Sequence, residues 1–250
     1  MTQTIPVRAA ATIMLLRETP ALEVLMVRRN YQIDFFSGAM VFPGGKVDAD
    51  DASPEWAEVA ENWHAAPEEE RAPRIAALRE TFEETGMLLG RDGVAGSAEE
   101  RHAVEHGEIR FLDYVRERGV TPDLGALTRF ARWVTPAHVP KRFDTWFFVS
   151  RAPEGQDAVH DGRETVETEW IAPAEALRLY EARERAIVFP TRMNLQLLAR
   201  SSDFEDATRA AAGRAARTVH PIVDLASTPK VIRLDPEDGY GPVEETLEIG

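Results

Sequence analysis

Arg79-Glu80-Thr81-Phe82-Glu83-Glu84-Thr85-Gly86-Met87 is the stretch on which the reading of this chain turns. Wound as an α-helix, it gathers Glu80, Glu83 and Glu84 within an arc of about 100°. Ile75, Leu78 and Phe82 fall on the opposite side, at the i, i+3, i+7 spacing of a core-facing stripe. One helix would then press an apolar face into a core and turn a carboxylate face toward a cleft. Like charges at i, i+4 cost a helix only about a few tenths of a kcal/mol, so a solvated acidic face is the commoner meaning of such a pattern taken alone. Oxygen ligands gathered in this way also suit a hard cation such as Mg2+ or Mn2+. Gly86, just past the carboxylates, can end the helix. Upstream, Ala39 to Phe42 reads as a strand. Phe42-Pro43-Gly44-Gly45 reads as its opening into a tight loop, where bare backbone can approach a ligand or metal.

Together these stretches resemble the Nudix hydrolases, whose box runs Gly, five residues, Glu, seven residues, then Arg-Glu-apolar-x-Glu-Glu-x-Gly-apolar. Gly45 matches the first glycine, and Arg79, Glu80, Glu83, Glu84, Gly86 and Met87 match the second half. There are three departures. Asp51 stands where the first Glu is expected, keeping the charge with a shorter reach. Thr81 replaces an apolar residue, though its methyl can still pack. Residues 52–78, 27 positions, separate Asp51 from Arg79 where the box has seven. An interrupted box of this kind is similar to the peroxisomal coenzyme A diphosphatase branch, the nucleoside diphosphate-linked moiety X motif 19 type. Gly38 to Gly45 and Arg142 to Phe148 carry the same likeness. Coenzyme A hydrolases often have an Arg four residues before the glycine matched to Gly38; here that residue is Asp34.

The resemblance implies an α/β fold, an α/β/α sandwich with a mixed sheet, plus helical insertions and a C-terminal extension. The expected Nudix domain covers 1–200, with an insertion at 52–78 and a helical segment at 98–118, and 201–250 is expected to pack on the same domain. The activity implied is metal-dependent hydrolysis of a pyrophosphate bond in coenzyme A or a related nucleoside-diphosphate derivative. Mg2+ or Mn2+ would be held by Glu80, Glu83, Glu84 and the Gly45 carbonyl. Arg79 lies at i, i+4 from Glu83 and would fix that carboxylate. The base would be one of the helix glutamates, Glu83 or Glu84 among them, or Glu164. Arg29, Lys141 and Arg142 are candidates for substrate phosphates, and Asp51 assists the metal site if the insertion returns the chain to standard geometry. NADH, ADP-ribose and dinucleoside polyphosphates are alternative substrates. A non-catalytic nucleotide sensor is the alternative of a different class. The family likeness also admits a homodimer.

Composition agrees with such a reading without selecting it. The 250 residues are 44% hydrophobic and 29% charged, ordinary proportions for a globular protein. A net charge of −14 argues against nucleic acid or an anionic membrane as partner. It also means that a polyphosphate needs a cation and local Arg to enter the cleft. Cysteine is absent, which excludes thiolate metal sites and Cys nucleophiles and fits a reducing, cytoplasmic setting. No apolar run approaches the roughly 20 residues of a membrane span. Ala9 to Leu16 reads as a strand and not a signal peptide, and Glu248-Ile249-Gly250 is not a peroxisomal address.

Along the chain, 7–17 and 22–29 read as a strand pair broken at Thr19-Pro20. Arg28-Arg29-Asn30-Tyr31 and Phe35-Phe36-Ser37 could hold a base and a phosphate, or form a packed loop. Ser53 and Pro54 open a helix in the insertion, with Trp56, Val59, Ala60 and Trp63 as its apolar stripe, and Pro73 is expected to start the box helix. His102, Glu105 and His106 spell H-x-x-E-H, the inverted zinc-protease motif. Two free positions make the match weak, and a surface segment is the favoured reading. Strands are expected at Ala126–Thr135, Lys141–Val149 and Glu164–Ile171. Helices are expected from Ala172-Pro173 to Glu184, over Arg192–Arg200 and over 204–217, followed by short strands at His220–Asp224 and Lys230–Leu234. The extension could pack on the core, form a dimer edge or cover the cleft.

Overall fold

A computed structural model describes residues 6–31 and 38–246. The readings placed on Asp34 to Ser37 and on Glu248 to Gly250 lie outside the described residues. Strand β1 (Val7–Glu18) is buried on both faces, which is why it reads as a nearly continuous apolar run. Ile13 and Leu15 enter one core; Met14 and Leu16 enter the other. It pairs in parallel with β6 (Arg142–Arg151), and β6 pairs antiparallel with β5 (Thr128–Val134). On its other side lies β2 (Leu22–Arg29), whose far edge takes β7 (Thr165–Ile171) antiparallel.

The site is prepared by a split in this sheet. The hairpin of β1 and β2 pairs at Leu16↔Val24 to Glu18↔Leu22. Beyond that the two strands part, and residues 40–46 fill the wedge. Strand β3 (Met40–Val41) pairs with β2, and β4 (Gly44–Lys46) pairs with β1 through Ala11↔Gly45. The expected loop at Gly44-Gly45 is therefore a short strand. Its backbone presses so closely on β1 that a Cβ at Gly44, where φ is 156°, would sit 2.4 Å from the Ala11 carbonyl oxygen.

Helix α1 (Glu68–Thr85) covers one face of the sheet. Ile75, Leu78 and Phe82 are buried against Ile13, Leu15, Leu25 and Phe148, as their spacing predicts. The helix starts earlier than expected. Pro67 is its N-cap and Pro73 lies inside, withholding one N–H from the helix ladder. Glu68, Glu69 and Glu70 crowd the first turn, where the helix dipole favours them. Of residues 52–78, those from Glu68 onward thus belong to α1. Ahead of it Ser53 caps only a short 3-10 segment, Pro54–Glu58, yet Trp56, Ala60 and Trp63 are buried in the α1 core as the stripe predicts. The expected helical run 98–118 is two helices, α2 (Ala98–Glu105) and α3 (Phe111–Glu117), parted by Gly107 at φ 68°.

The opposite face carries α4 (Pro173–Glu181), α5 (Phe189–Leu198) and α6 (Phe204–Gly213). Met193, Leu195, Leu198 and Ala207 pack there against Met14, Leu16, Val24 and Phe147. Helix α5 begins at Phe189 with Pro190 in its first turn, three residues before the expected start, and α6 stops at Gly213, short of 217. The result is an α/β/α sandwich around a mixed sheet. Past α6, β8 (Thr218–Val219) joins the main sheet beside β5. Strands β9 (Ile222–Asp224), β10 (Val231–Leu234) and β11 (Val243–Thr246) form a second, three-stranded sheet. This end is tied down by Trp133 Nε1 donating to Tyr240 Oη at 3.0 Å, and by Tyr240 Oη donating to Asn194 Oδ1 at 2.7 Å.

Candidate active site

Arg79 organises the carboxylates. Its Nη1 donates to Glu80 Oε1 at 3.0 Å and to Glu83 Oε2 at 2.9 Å. Nε and Nη2 donate to the two oxygens of Asp51 at 3.0 and 2.9 Å, and Nη2 also donates to the Lys46 carbonyl at 2.8 Å. The planar fork of Arg matches such bidentate work, which a Lys could not do. Despite the insertion, Asp51 thus returns to the box, with both oxygens engaged by the guanidinium. Asp51 Oδ2 also accepts from the Asp48 N–H at 2.8 Å. Thr81 bonds back to the Ala77 carbonyl at 2.7 Å, so its buried hydroxyl is satisfied within the helix.

Strand β4 lies directly beneath this face of α1. The Gly44 N–H donates to Glu84 Oε2 at 2.9 Å. A Cβ placed on Gly45 would lie 2.4 Å from the Glu80 carboxylate. The obstacle is the far end of a flexible side chain, so the fold can yield while the carboxylate is pushed aside. Gly45→Ala is therefore expected to lower kcat by about 10- to 100-fold while the melting temperature moves by only about a few degrees. Steady-state kinetics beside a thermal melt separate the two.

The far end of α1 is held from outside the box. Gly86 caps it in the left-handed region. Arg101 of α2 donates through Nε and Nη2 to the Glu83 carbonyl at 3.3 and 2.9 Å, and through Nη1 to the Val159 carbonyl at 2.7 Å. A cation at a helix C-terminus meets exposed carbonyls and the negative end of the dipole. Nothing in the local pattern around Arg101 marks this strap.

Three carboxylates (Asp51, Glu80 and Glu83) bond to one guanidinium, and Glu84 stands beside Glu80 on the Gly44 N–H. Burial dominates their titration: it pushes Glu83 up to about 7, Glu80 up to about 8 and Glu84 well above the ordinary range, with Arg79 pulling Glu80 and Glu83 the other way. An all-oxygen, charge-rich and desolvated donor set with too little positive charge of its own fits a hard divalent cation. These raised values set a pH dependence. In chelator, the folded protein binds more protons than the unfolded chain from about 4.5, the ordinary carboxylate value, up to about 8. Stability is then greatest below that window and falls as pH rises through it. Thermal melts from pH 5 to 8.5 should show this decline in EDTA. Saturating Mn2+ should flatten or reverse it, because cation binding favours the deprotonated carboxylates.

Glu164 immediately precedes β7, and its charge acts on Glu80 and Glu84, so the chain brings it to the box. Asp161 holds that corner by accepting from the backbone N–H of Glu164 and of Thr165, each at 2.8 Å. Arg29 ends β2 beside Glu84; its buried Nε finds no partner among the described residues. Lys141 and Arg142 enter β6, with Arg142 Nε donating to the Thr135 carbonyl at 3.1 Å. All of these residues, with Gly45 and the box carboxylates, line one cleft of about 2300 Å3. Pro221, Val223 and Ile232 of the C-terminal segment line it too. Arg192 of α5 donates to both carboxylate oxygens of Glu245 on β11, through Nη1 at 3.0 Å and through Nη2. The described part of this segment thus reaches α5 and the wall of the cleft.

A model of the NUDT19 Nudix domain matches residues 64–198. That span carries α1 with its carboxylates, and it covers more than half of the chain. The chain belongs to the Nudix family, with a domain of the NUDT19 type. Among solved Nudix structures, a crystal structure of a NUDIX hydrolase from Alicyclobacillus acidocaldarius superposes with a TM-score of 0.73 at 31% identity, covering 83% of this chain and 97% of that one. The human acyl-coenzyme A diphosphatase NUDT19 is 28% identical over 93% of this chain and 76% of its own length. The Xenopus laevis protein of that name is 27% identical over 66% of this chain, and the match spans 56% of its own length. No helix among the described residues is long and apolar enough to cross a membrane.

Proposed function

We propose that this Nudix protein hydrolyses the pyrophosphate bond of coenzyme A, an acyl-coenzyme A or a closely related nucleoside-diphosphate derivative, with Mg2+ or Mn2+ as cofactor. The observation that carries this reading is the acidic face of α1, clamped by Arg79 over the glycines of β4 and opening on the cleft. The curated relatives support the choice of substrate class. When bound, the cation supplies charge neutralisation and Lewis acidity toward the diphosphate. Glu80, Glu83 and Glu84 would hold it, with the Gly45 carbonyl as a further donor.

The chain's own residues then have distinct tasks. Arg79 keeps the carboxylates in place and does not reach for substrate, since its donors are already engaged. Glu164 stands free enough at the cleft to take a proton from the attacking water, as does whichever box glutamate oxygen the cation leaves open. Arg29, Lys141 and Arg142 supply positive charge for the phosphates at the rim of an otherwise acidic molecule. Water adds to one phosphorus, the bridging P–O bond breaks, and two phosphomonoesters leave.

The test is product analysis on coenzyme A, acyl-coenzyme A, NADH, ADP-ribose and dinucleoside polyphosphates with Mg2+ or Mn2+. Preferred cleavage of the coenzyme A group into two phosphomonoesters is expected. A preference for NADH or dinucleoside polyphosphates would overturn the substrate, and turnover undiminished by a chelator would overturn the cation.

A further inference from the structure

The H-x-x-E-H segment is not a bare surface. His102 and His106, one turn apart at the end of α2, stack with ring centroids 3.9 Å apart. Arg163 reaches across from the segment before β7, and its Nη1 lies 3.1 Å from His102 Nδ1 and 2.8 Å from His106 Nε2. A guanidinium only donates, so both of those ring nitrogens present lone pairs to it. His106 Nδ1 lies 2.9 Å from the His102 carbonyl oxygen, which only accepts, so Nδ1 carries the hydrogen and Nε2 is left as the donor atom for a cation. A backbone carbonyl that fixes the tautomer in this way is the usual support of a metal-bound histidine. A Glu105 carboxylate oxygen and one nitrogen of each ring all lie within 4.8 Å of one another.

Two imidazole lone pairs therefore converge on a place now filled by an internal cation, and the Glu105 carboxylate lies to one side of them, 3.8 Å from His106 Nδ1. We propose that His102, Glu105 and His106 form a second cation site, selective for a borderline transition-metal ion of the Zn2+ class, and that such an ion exchanges with the Arg163 guanidinium. The chemistry differs from that of the box. Imidazole nitrogens suit Zn2+, Ni2+ or Cu2+, whereas the box offers oxygens for Mg2+ or Mn2+. Zinc–nitrogen bonds of about 2.0–2.1 Å ask each ring nitrogen to close in by roughly 1 Å from its present distance to Nη1. Both residues are at the surface end of a helix, where that adjustment meets little packing. Three protein ligands would leave a position for water.

The site is linked to the cleft from both sides. Arg101, on the same helix, holds the C-terminal turn of α1, and Arg163 directly precedes Glu164. Evicting Arg163 would release its hold on α2 at the corner that carries Glu164.

The experiment is calorimetric titration of Zn2+ into the full chain in excess Mg2+, which keeps the box occupied. One Zn2+ per chain is expected. Binding should weaken at least about 10-fold in His102→Ala/His106→Ala, stay unchanged in Glu83→Gln, and tighten in Arg163→Ala because the competing cation is gone. Co2+ in place of Zn2+ should give a visible absorption band that the double histidine variant lacks. Equal Zn2+ binding by the wild type and the double histidine variant, or no saturable binding at all, would overturn the site. Unchanged or weaker binding by Arg163→Ala would overturn the exchange. Loss in Glu83→Gln would assign the ion to the box.

Discussion

Glu83→Gln is expected to lower kcat by about 10^3-fold or more, with little loss of stability. Glu83 gives one oxygen to Arg79 Nη1, and the other is the one that would hold the proposed cation. The amide has the same shape and no charge. A divalent ion contributes several kcal/mol to a transition state of this kind, and each 1.36 kcal/mol is tenfold in rate, so losing one anchoring charge accounts for roughly three decades. The fold should tolerate the change, because it removes one of four crowded carboxylates whose mutual repulsion and burial already push Glu80, Glu83 and Glu84 upward. The measurement is kcat on the best coenzyme A substrate over a Mn2+ titration, beside a thermal melt. Activity within tenfold of the wild type at saturating metal would remove Glu83 from the machinery.

Arg79→Met should cost both activity and stability. The guanidinium holds Asp51, Glu80, Glu83 and the Lys46 carbonyl, and its own exposure is 8%. Removing one partner of a buried ion cluster leaves unpaired charges in a desolvated place, a loss of about 3–5 kcal/mol. For a chain of this size that is a fall in melting temperature on the order of 10 °C. The deficit should shrink toward pH 5, where the stranded carboxylates protonate, and a destabilisation arising only from lost packing would not respond in that way. Arg79→Lys should fall between the two, keeping the charge but not the fork. A Met variant that melts with the wild type at pH 8 would contradict the clamp.

Most of the fold was legible because it is local. The apolar runs of β1 and β2 and the stripe of Ile75, Leu78 and Phe82 are properties of short stretches. Boundaries shifted where a proline was given too much weight. Pro73, expected to begin α1, sits inside it, where packing along the helix outweighs one missing hydrogen bond, and Pro190, expected to precede α5, sits in its first turn, where no helix bond is lost. The box residues stand out through their spacing, Arg29, Lys141 and Arg142 as cations before a Gly-rich loop and at a strand entry, and Glu164 through family likeness; the cleft that gathers them is a product of topology. Arg101, the Arg192–Glu245 pair and the bond of Arg163 to two histidines join residues 18, 53 and about 60 positions apart. No periodicity encodes such contacts, so one sequence could not have shown them.

The pairing of Asp51 with Arg79 bears on how this protein tolerates an interrupted motif. The two residues bracket the added chain and meet at 2.9 Å, so whatever lies between them is a closed loop with both feet nailed down. Lengthening such a loop from seven residues to 27 raises its closure entropy by only about 1 kcal/mol. Trp56 and Trp63, sunk into the core on the way, offset much of that. The number of residues between the two halves of the signature is therefore close to a neutral parameter, one that evolution can vary without touching the chemistry, provided that an acid still waits for the arginine at the far end.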